Sequence, residues 1–241
     1  MLEAVGIIYD NPDVLVVNKP AGLMVHSDGK SSEPSLTDWV IEHYPKLAGV
    51  GGTVTVADGS AVERAGIVHR LDRETSGLLI IAKNQITFDF LTKQFEDREI
   101  GKTYRLIVTG RPSTGEGIIN LAIGRHKKDF RKWAVPPMTR GKVREALTYY
   151  KVLETRNNFS LIEASPKTGR THQIRVHMAA LNLPIVGDKI YGRKNEVETF
   201  GLERLALHCY ALEFRLPNNE WVTLSAPYPA DFATAVKRLQ A

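Results

Sequence analysis

One cysteine, Cys209, stands in 241 residues. A disulfide within the chain needs two, and so does a zinc site of the Cys₂ or Cys₄ kind, so both are excluded. No apolar run approaches the ~18 residues of a membrane-spanning helix. The first residues carry Glu3 and no basic stretch leading into an apolar one, so no secretory signal is read there. A cytoplasmic protein without a membrane partner is the simplest expectation. The glycine-rich stretch at 49–52 lacks the Lys-Ser/Thr pair of a phosphate-binding P-loop. There is no repeat, low-complexity tract or obvious linker, so one domain over residues 1–241 is expected. A chain of this length buries a full core without metal or disulfide support.

What is present is unevenly placed charge. The formal net charge is +5. Residues 125–144 hold eight basic side chains (Arg125, Lys127, Lys128, Arg131, Lys132, Arg140, Lys142 and Arg144) against one acid, Asp129. That segment is therefore +7 and the rest of the chain −2. Positive charge gathered in one stretch, with Phe130 and Trp133 interleaved, suits a nucleic-acid backbone. A solvated basic loop is the plainer alternative.

Patterning predicts a mixed α/β fold dominated by antiparallel hairpins, with three or four helices against the sheet. Residues 5–9 and 14–18 are β-rich runs split by Asn11-Pro12-Asp13 and read as a hairpin. Residues 35–43 read as a short helix with Ser35 as its N-cap and Pro45 beyond its end. Residues 49–60 read as a surface loop or weak hairpin. Residues 77–82 (GLLIIA) form a continuous apolar run, fit for a strand buried on both faces. Residues 86–95 have helical spacing. Strands are expected at 104–108, 118–123, 146–153, 159–164, 205–216 and 221–224, and helices at 171–181 and 231–239, with 125–144 a basic connector.

Two polar segments invite chemistry. Residues 69–77 (HRLDRETSG) run straight into the most apolar strand, and polar loops at the edge of a buried strand often carry a site. Asp72 lies between Arg70 and Arg73, and a neighbouring cation keeps a carboxylate ionised and nucleophilic. A capping aspartate in a surface ion network fits the same residues. In the second segment, residues 166–178, a Gly turn leads into a helix start, a natural anion site near Arg170 and Thr171. His172 and Arg175 are three apart and are expected on one helix face. His172 and His177, five apart, do not suit a shared metal, so structural hydrogen bonding is the favoured reading of these histidines and no metal is expected.

Longer strings carry a resemblance. HRLDRETSGLLIIAK (69–83), KTYRLIV (102–108) and TGRTHQIRVHM (168–178) closely resemble the RluA-type family of RNA pseudouridine synthases. VLVVNKPAGLMVH (14–26), LPIVGDKIYG (183–192) and LALHCYALEF (205–214) extend the likeness to roughly residues 5–226. IGRHKKDFRKWAV (123–135) and REALTYYKVLE (144–154) resemble the branch that modifies large-subunit ribosomal RNA. The resemblance implies a catalytic fold built on a long, bent, mainly antiparallel mixed sheet flanked by helices and loops. Many relatives carry an S4-like RNA-binding module ahead of that domain, and no such module is expected in these residues.

The family's roles carry over by position. Its catalytic aspartate corresponds to Asp72, and the arginine that fills the space left by a flipped-out uridine corresponds to Arg70. The tyrosine that stacks on the target base, and is a candidate for the later proton transfer, corresponds to Tyr104. The arginine that pairs with the catalytic carboxylate corresponds to Arg175. Arg170 is expected to bind phosphate or hold its loop. Arg73 and His172, with Lys127, Lys128, Arg131 and Lys132, are expected to face RNA. The chemistry fits these residue types. The N1–C1′ bond breaks, the base turns and C5 joins C1′, so the nucleotide must leave its stack. Asp72 would attack C1′ or remove the C2′ proton. No redox step or metal is needed, so no cofactor is expected, and RNA is the expected partner of a monomer. Ribosomal RNA leads, with transfer RNA as the alternative. Two other classes are a silent RNA-binding module and a two-carboxylate hydrolase, for which Glu74 is the nearest second acid.

Overall fold

The computed structural model describes residues 2–27, 33–55, 59, 61–192 and 198–240. Along the chain run β1 (Gly6–Asp10), β2 (Val14–Lys19), α1 (Leu36–His43), β3 (Thr53–Thr55), β4 (Ala61–Glu63), β5 (Ser76–Ala82) and α2 (Gln85–Glu96). Then come β6 (Gly101–Thr109), β7 (Glu116–Asn120), β8 (Ile123–His126), β9 (Trp133–Ala134), β10 (Thr139–Arg144), β11 (Leu147–Arg156), β12 (Phe159–Pro166) and α3 (Gln173–Ala180). The last elements are β13 (Leu207–Arg215), β14 (Trp221–Ser225) and α4 (Ala230–Gln240). The class is the expected mixed α/β with mainly antiparallel strands. The chain packs as two compact units, Met1–Gly101 with Cys209–Pro227, and Lys102–His208 with Tyr228–Ala241.

In the first unit the strand order is β1-β2-β5-β13, with β14 on β13. Asn11 makes the β1–β2 hairpin, because its Oδ1 accepts the backbone N–H groups of Asp13 (2.9 Å) and Val14 (2.6 Å). β5 has strands on both sides, and all seven of its residues are buried. That is why its sequence is apolar throughout rather than alternating. α1 starts with a capping box in which Ser35 and Asp38 bond each other's backbone N–H, and Asn84 caps α2 through the N–H of Thr87. The weak hairpin expected at 49–60 is β3 paired with β4; residues 56–58 and 60 lie outside the described residues.

In the second unit β6, β12, β11 and β7 form an antiparallel sheet in that order. Its core gathers Leu106, Val108, Ile162, Met178, Phe232 and Val236. A separate three-stranded sheet has the order β10-β8-β9.

Three expectations need correcting here. Residues 118–123 are not one strand, because β7 ends at Asn120 and the Leu121 carbonyl is taken by the His177 ring at 2.9 Å. The basic stretch is not a connector. His126 N–H bonds Lys132 O at 3.1 Å and closes a β8–β9 hairpin, and β10 adds to the other side of β8. Its dense charge hid the strand alternation. Finally, α3 begins at Gln173. His172 sits before it in the left-handed region, at φ 56°, and so shares no helix face with Arg175.

Gly77 has φ 117°, and a Cβ there would lie 2.2 Å from the Cys209 carbonyl oxygen on β13. Backbone strain and overlap both oppose any side chain at this point. Gly77→Ala is expected to lower the unfolding free energy by ~2 kcal/mol or more. A urea melt with an unchanged midpoint would contradict it.

Candidate active site

Lys19, the last residue of β2, is wholly buried. A lysine is almost never found there without partners. Its Nζ donates to the carbonyls of Leu23 (2.8 Å), Pro20 (2.9 Å) and Arg73 (3.1 Å). The Arg73 carbonyl also accepts the Gly22 N–H at 2.8 Å, and Thr75 N–H closes the turn on the Asp72 carbonyl at 3.1 Å. One ammonium thus ties residues 20–23 to the turn that carries Asp72. Upstream, the His69 Nε2 accepts the Ile80 N–H at 2.9 Å, and its ring stacks on Phe95 with centroids 4.7 Å apart. The turn is therefore fixed at both flanks, and Asp72 is half-buried on it.

The two arginines beside Asp72 in sequence act on different groups. Arg73 is exposed, bonds the Gly22 carbonyl through Nε, and pairs with Glu33. Arg70 is also exposed. Its charge is felt by His26, which is bonded to the Thr37 hydroxyl at 2.8 Å. Burial, then the positive charges of Arg70 and Arg64, push the His26 pKa down to about 4.

The second unit holds the remaining residues singled out by sequence. Tyr104 lies on β6 opposite Ala164 of β12, half-buried against the core. Arg175, on α3, is buried and makes a two-point contact with Asp188, Nε to Oδ2 and Nη2 to Oδ1, both 2.8 Å. Burial opposes the charge on Asp188. The guanidinium and the N–H groups of Tyr191 and Ile190 outweigh it and hold the pKa below the usual carboxylate value. Arg175 also lies over the Tyr191 ring, 5.1 Å from its centroid. The Tyr191 hydroxyl meets His172 Nδ1 and the Trp133 N–H, each at 2.9 Å. Sequence reasoning missed Lys19, Asp188 and Tyr191. Each lies in a string that carries the resemblance (14–26 and 183–192), which was the available signal.

Much of the TGRTHQIRVH string is a polar clamp. Gln173 Oε1 accepts from the Thr168 hydroxyl (2.6 Å) and Arg170 N–H (3.0 Å), and its Nε2 donates to Leu147 O and Thr148 Oγ1, both 3.0 Å. His177 bridges Thr148 Oγ1 and the Leu121 carbonyl, each 2.9 Å away. Since a carbonyl only accepts, Nε2 carries the proton and Nδ1 accepts. The structural reading of His177 is correct. Arg170 bonds the Glu145 carbonyl at 3.0 Å, which fits its loop-holding role. In the basic stretch Lys127 and Lys128 are exposed, Lys132 lies over the Tyr191 ring, and Arg131 is tied to Asp129.

The chain is similar over most of its length to known proteins. Residues 13–180 match the family model described as RNA pseudouridylate synthase. A Synechocystis protein named as an RNA pseudouridine synthase is 37% identical over 94% of this chain and 66% of its own length. Ribosomal large subunit pseudouridine synthase D of Zymomonas mobilis is 37% identical over 97% of this chain and 72% of its own. The chain thus spans about two thirds of the length of these relatives. The solved structure of human RNA pseudouridylate synthase domain containing 1 aligns with a TM-score of 0.77 at 27% identity, over 95% of this chain and 85% of that one.

The His26 shift has a testable sign. Unfolded, the ring titrates near 6.5; folded, near 4. Between those values the unfolded chain holds a proton that the folded chain lacks, so acid favours unfolding. Stability is expected to rise with pH from about 4 to 6.5. His26→Gln should make urea midpoints less steep with pH in that window, and an unchanged slope would show that His26 is not buried as described.

Proposed function

Because the chain belongs to the RNA pseudouridylate synthase family, we propose that it isomerises uridine to pseudouridine in large-subunit ribosomal RNA, with Asp72 as the reacting carboxylate. The observation that carries this reading is the Asp72 turn, a half-buried carboxylate on backbone pinned by the Lys19 ammonium and His69. Preorganised groups are what a reaction with developing charge needs. Asp72 attacks C1′ or takes the C2′ proton as the N1–C1′ bond breaks. The freed uracil turns and C5 bonds to C1′, releasing the Asp72 ester in the first case or with Asp72 returning the proton to C2′ in the second, and N1 is left to take up a proton. The C5 proton then leaves. Tyr104 offers its ring to the free base, where stacking is worth ~1–3 kcal/mol, and its hydroxyl relays the C5 proton. Arg70 occupies the space left by the flipped nucleotide. Arg175, bonded at two points to Asp188, holds α3 to residues 188–191. The ribosomal assignment rests on the name of the Zymomonas relative.

The test is site mapping. Large-subunit ribosomal RNA and a transfer RNA pool, both unmodified, are incubated with the protein, and carbodiimide adducts of pseudouridine are read by primer extension. A stop in ribosomal RNA only is expected. Tyr104→Phe, which keeps the ring, should retain RNA affinity and lose about 100-fold or more in turnover if the hydroxyl moves the proton. Stops only in transfer RNA would overturn the ribosomal assignment, and full turnover by Tyr104→Phe would overturn the relay.

A further inference from the structure

The charge of residues 125–144 divides in two once folded. Asp129, the single acid, takes Arg131 by two contacts, Nε to Oδ1 at 3.1 Å and Nη2 to Oδ2 at 3.0 Å. The Arg131 bonds hold the Asp129 pKa down to about 2. That loop cation is compensated within its own turn. The other seven are not, and four of them, Arg125, Arg140, Lys142 and Arg144, line one pocket of about 460 Å³ with Trp133 and Gly141. Among the described residues none of the four has a carboxylate partner.

Register explains the gathering. Arg140 is opposite Arg125 between β10 and β8, and Arg125 is opposite Trp133 between β8 and β9. The three side chains form one row on one face of the small sheet. Like charges directly opposite each other on paired strands repel, so the row costs stability until an anion sits between them. The irregularity between Arg140 and Arg144 brings Lys142 and Arg144 to the same pocket. Gly141 there has φ 65°, with nothing within 4 Å of where a Cβ would stand. Arg125 lies over the Trp133 ring, 4.3 Å from its centroid, with Nη1 donating to the Phe130 carbonyl at 3.2 Å. Most of its five N–H donors are left to face a ligand.

We propose that this pocket is a phosphodiester subsite, in which Arg125, Arg140, Lys142 and Arg144 grip consecutive backbone phosphates of the RNA substrate. A fixed planar guanidinium favours two-point contact with a phosphate. A pocket of this volume is larger than one free phosphate needs and lies in the range of sites for nucleotide-sized ligands. The grip falls on the face of the small sheet, not on the Lys127–Lys128 loop that the sequence alone singles out. The inference rests on RNA being the substrate.

The experiment compares wild type, Arg140→Gln with Lys142→Gln, Arg125→Gln, and the exposed Lys237→Gln on α4. It measures affinity for a large-subunit ribosomal RNA fragment from 50 to 300 mM salt, and turnover, with circular dichroism confirming the fold. Arg140 and Lys142 are exposed and have no partner among the described residues, so their variant keeps the fold. The double variant is expected to bind at least 10-fold more weakly, with the loss carried in KM. Its salt slope should be shallower by ~0.7–0.9 for each phosphate contact removed. Lys237→Gln should match wild type. Wild-type turnover with unchanged affinity and slope in the pocket variants would overturn the subsite and leave the isomerase reading intact. A lost slope alongside no pseudouridine from wild type would support the subsite and overturn the isomerase reading. If wild type binds no RNA, or if inorganic phosphate competes well beyond chloride of equal ionic strength while RNA does not, the RNA subsite is overturned.

Discussion

The Lys19 ammonium is the interaction on which the candidate site depends. Burying a charge without partners is prohibitive, and this one is matched by three carbonyls in place of water. Two of those carbonyls belong to residues 20–23 and one to the turn after Asp72. Without the lysine the Pro20 and Leu23 carbonyls lose this donor, and a buried acceptor left unsatisfied costs ~1–3 kcal/mol, while the Arg73 carbonyl keeps the Gly22 N–H. A flexible stretch of Pro, Ala and Gly is thereby locked to a charged turn far away in sequence. The buried strand β5 supplies the rigid end from which that turn is measured.

The second unit repeats the strategy with different groups. The Arg175–Asp188 pair is buried and joined at two points, and breaking such a pair by removing one partner typically costs ~3–5 kcal/mol. The Gln173–Thr148–His177 network fixes the start of α3 to β11 and to the end of β7. Polar residues in these strings that look reactive by type are mostly structural. They hold a few chemically active groups still, so that little reorganisation remains for the reaction itself.

The sequence was most legible where one physical signal dominated. Continuous apolarity marked β5, and an Asn-Pro-Asp cluster marked the β1–β2 turn. Ser35 marked the start of α1. Legibility failed where an element's reason lay elsewhere in the chain. His172 takes a left-handed conformation and bonds Tyr191, so helical periodicity carried α3 two residues too far. Leu121 gives its carbonyl to His177, which splits one apparent strand into two. The basic stretch hid three strands because its alternation is written in Arg, Lys and Thr. In the site, residue type identified Asp72 as a candidate only beside the alternative of a capping role, and the long family string raised it above that. Lys19 and Asp188 went unassigned because a partner's identity is a property of the fold.

The measurement that tests the account most directly is tritium release from large-subunit ribosomal RNA labelled at uracil C5, with wild type and Asp72→Asn side by side. Wild type is predicted to release tritium. Asp72→Asn, similar in size and without a nucleophilic carboxylate, is predicted to release none while keeping its RNA affinity. Sustained release by Asp72→Asn would contradict the assignment of the chemistry to Asp72.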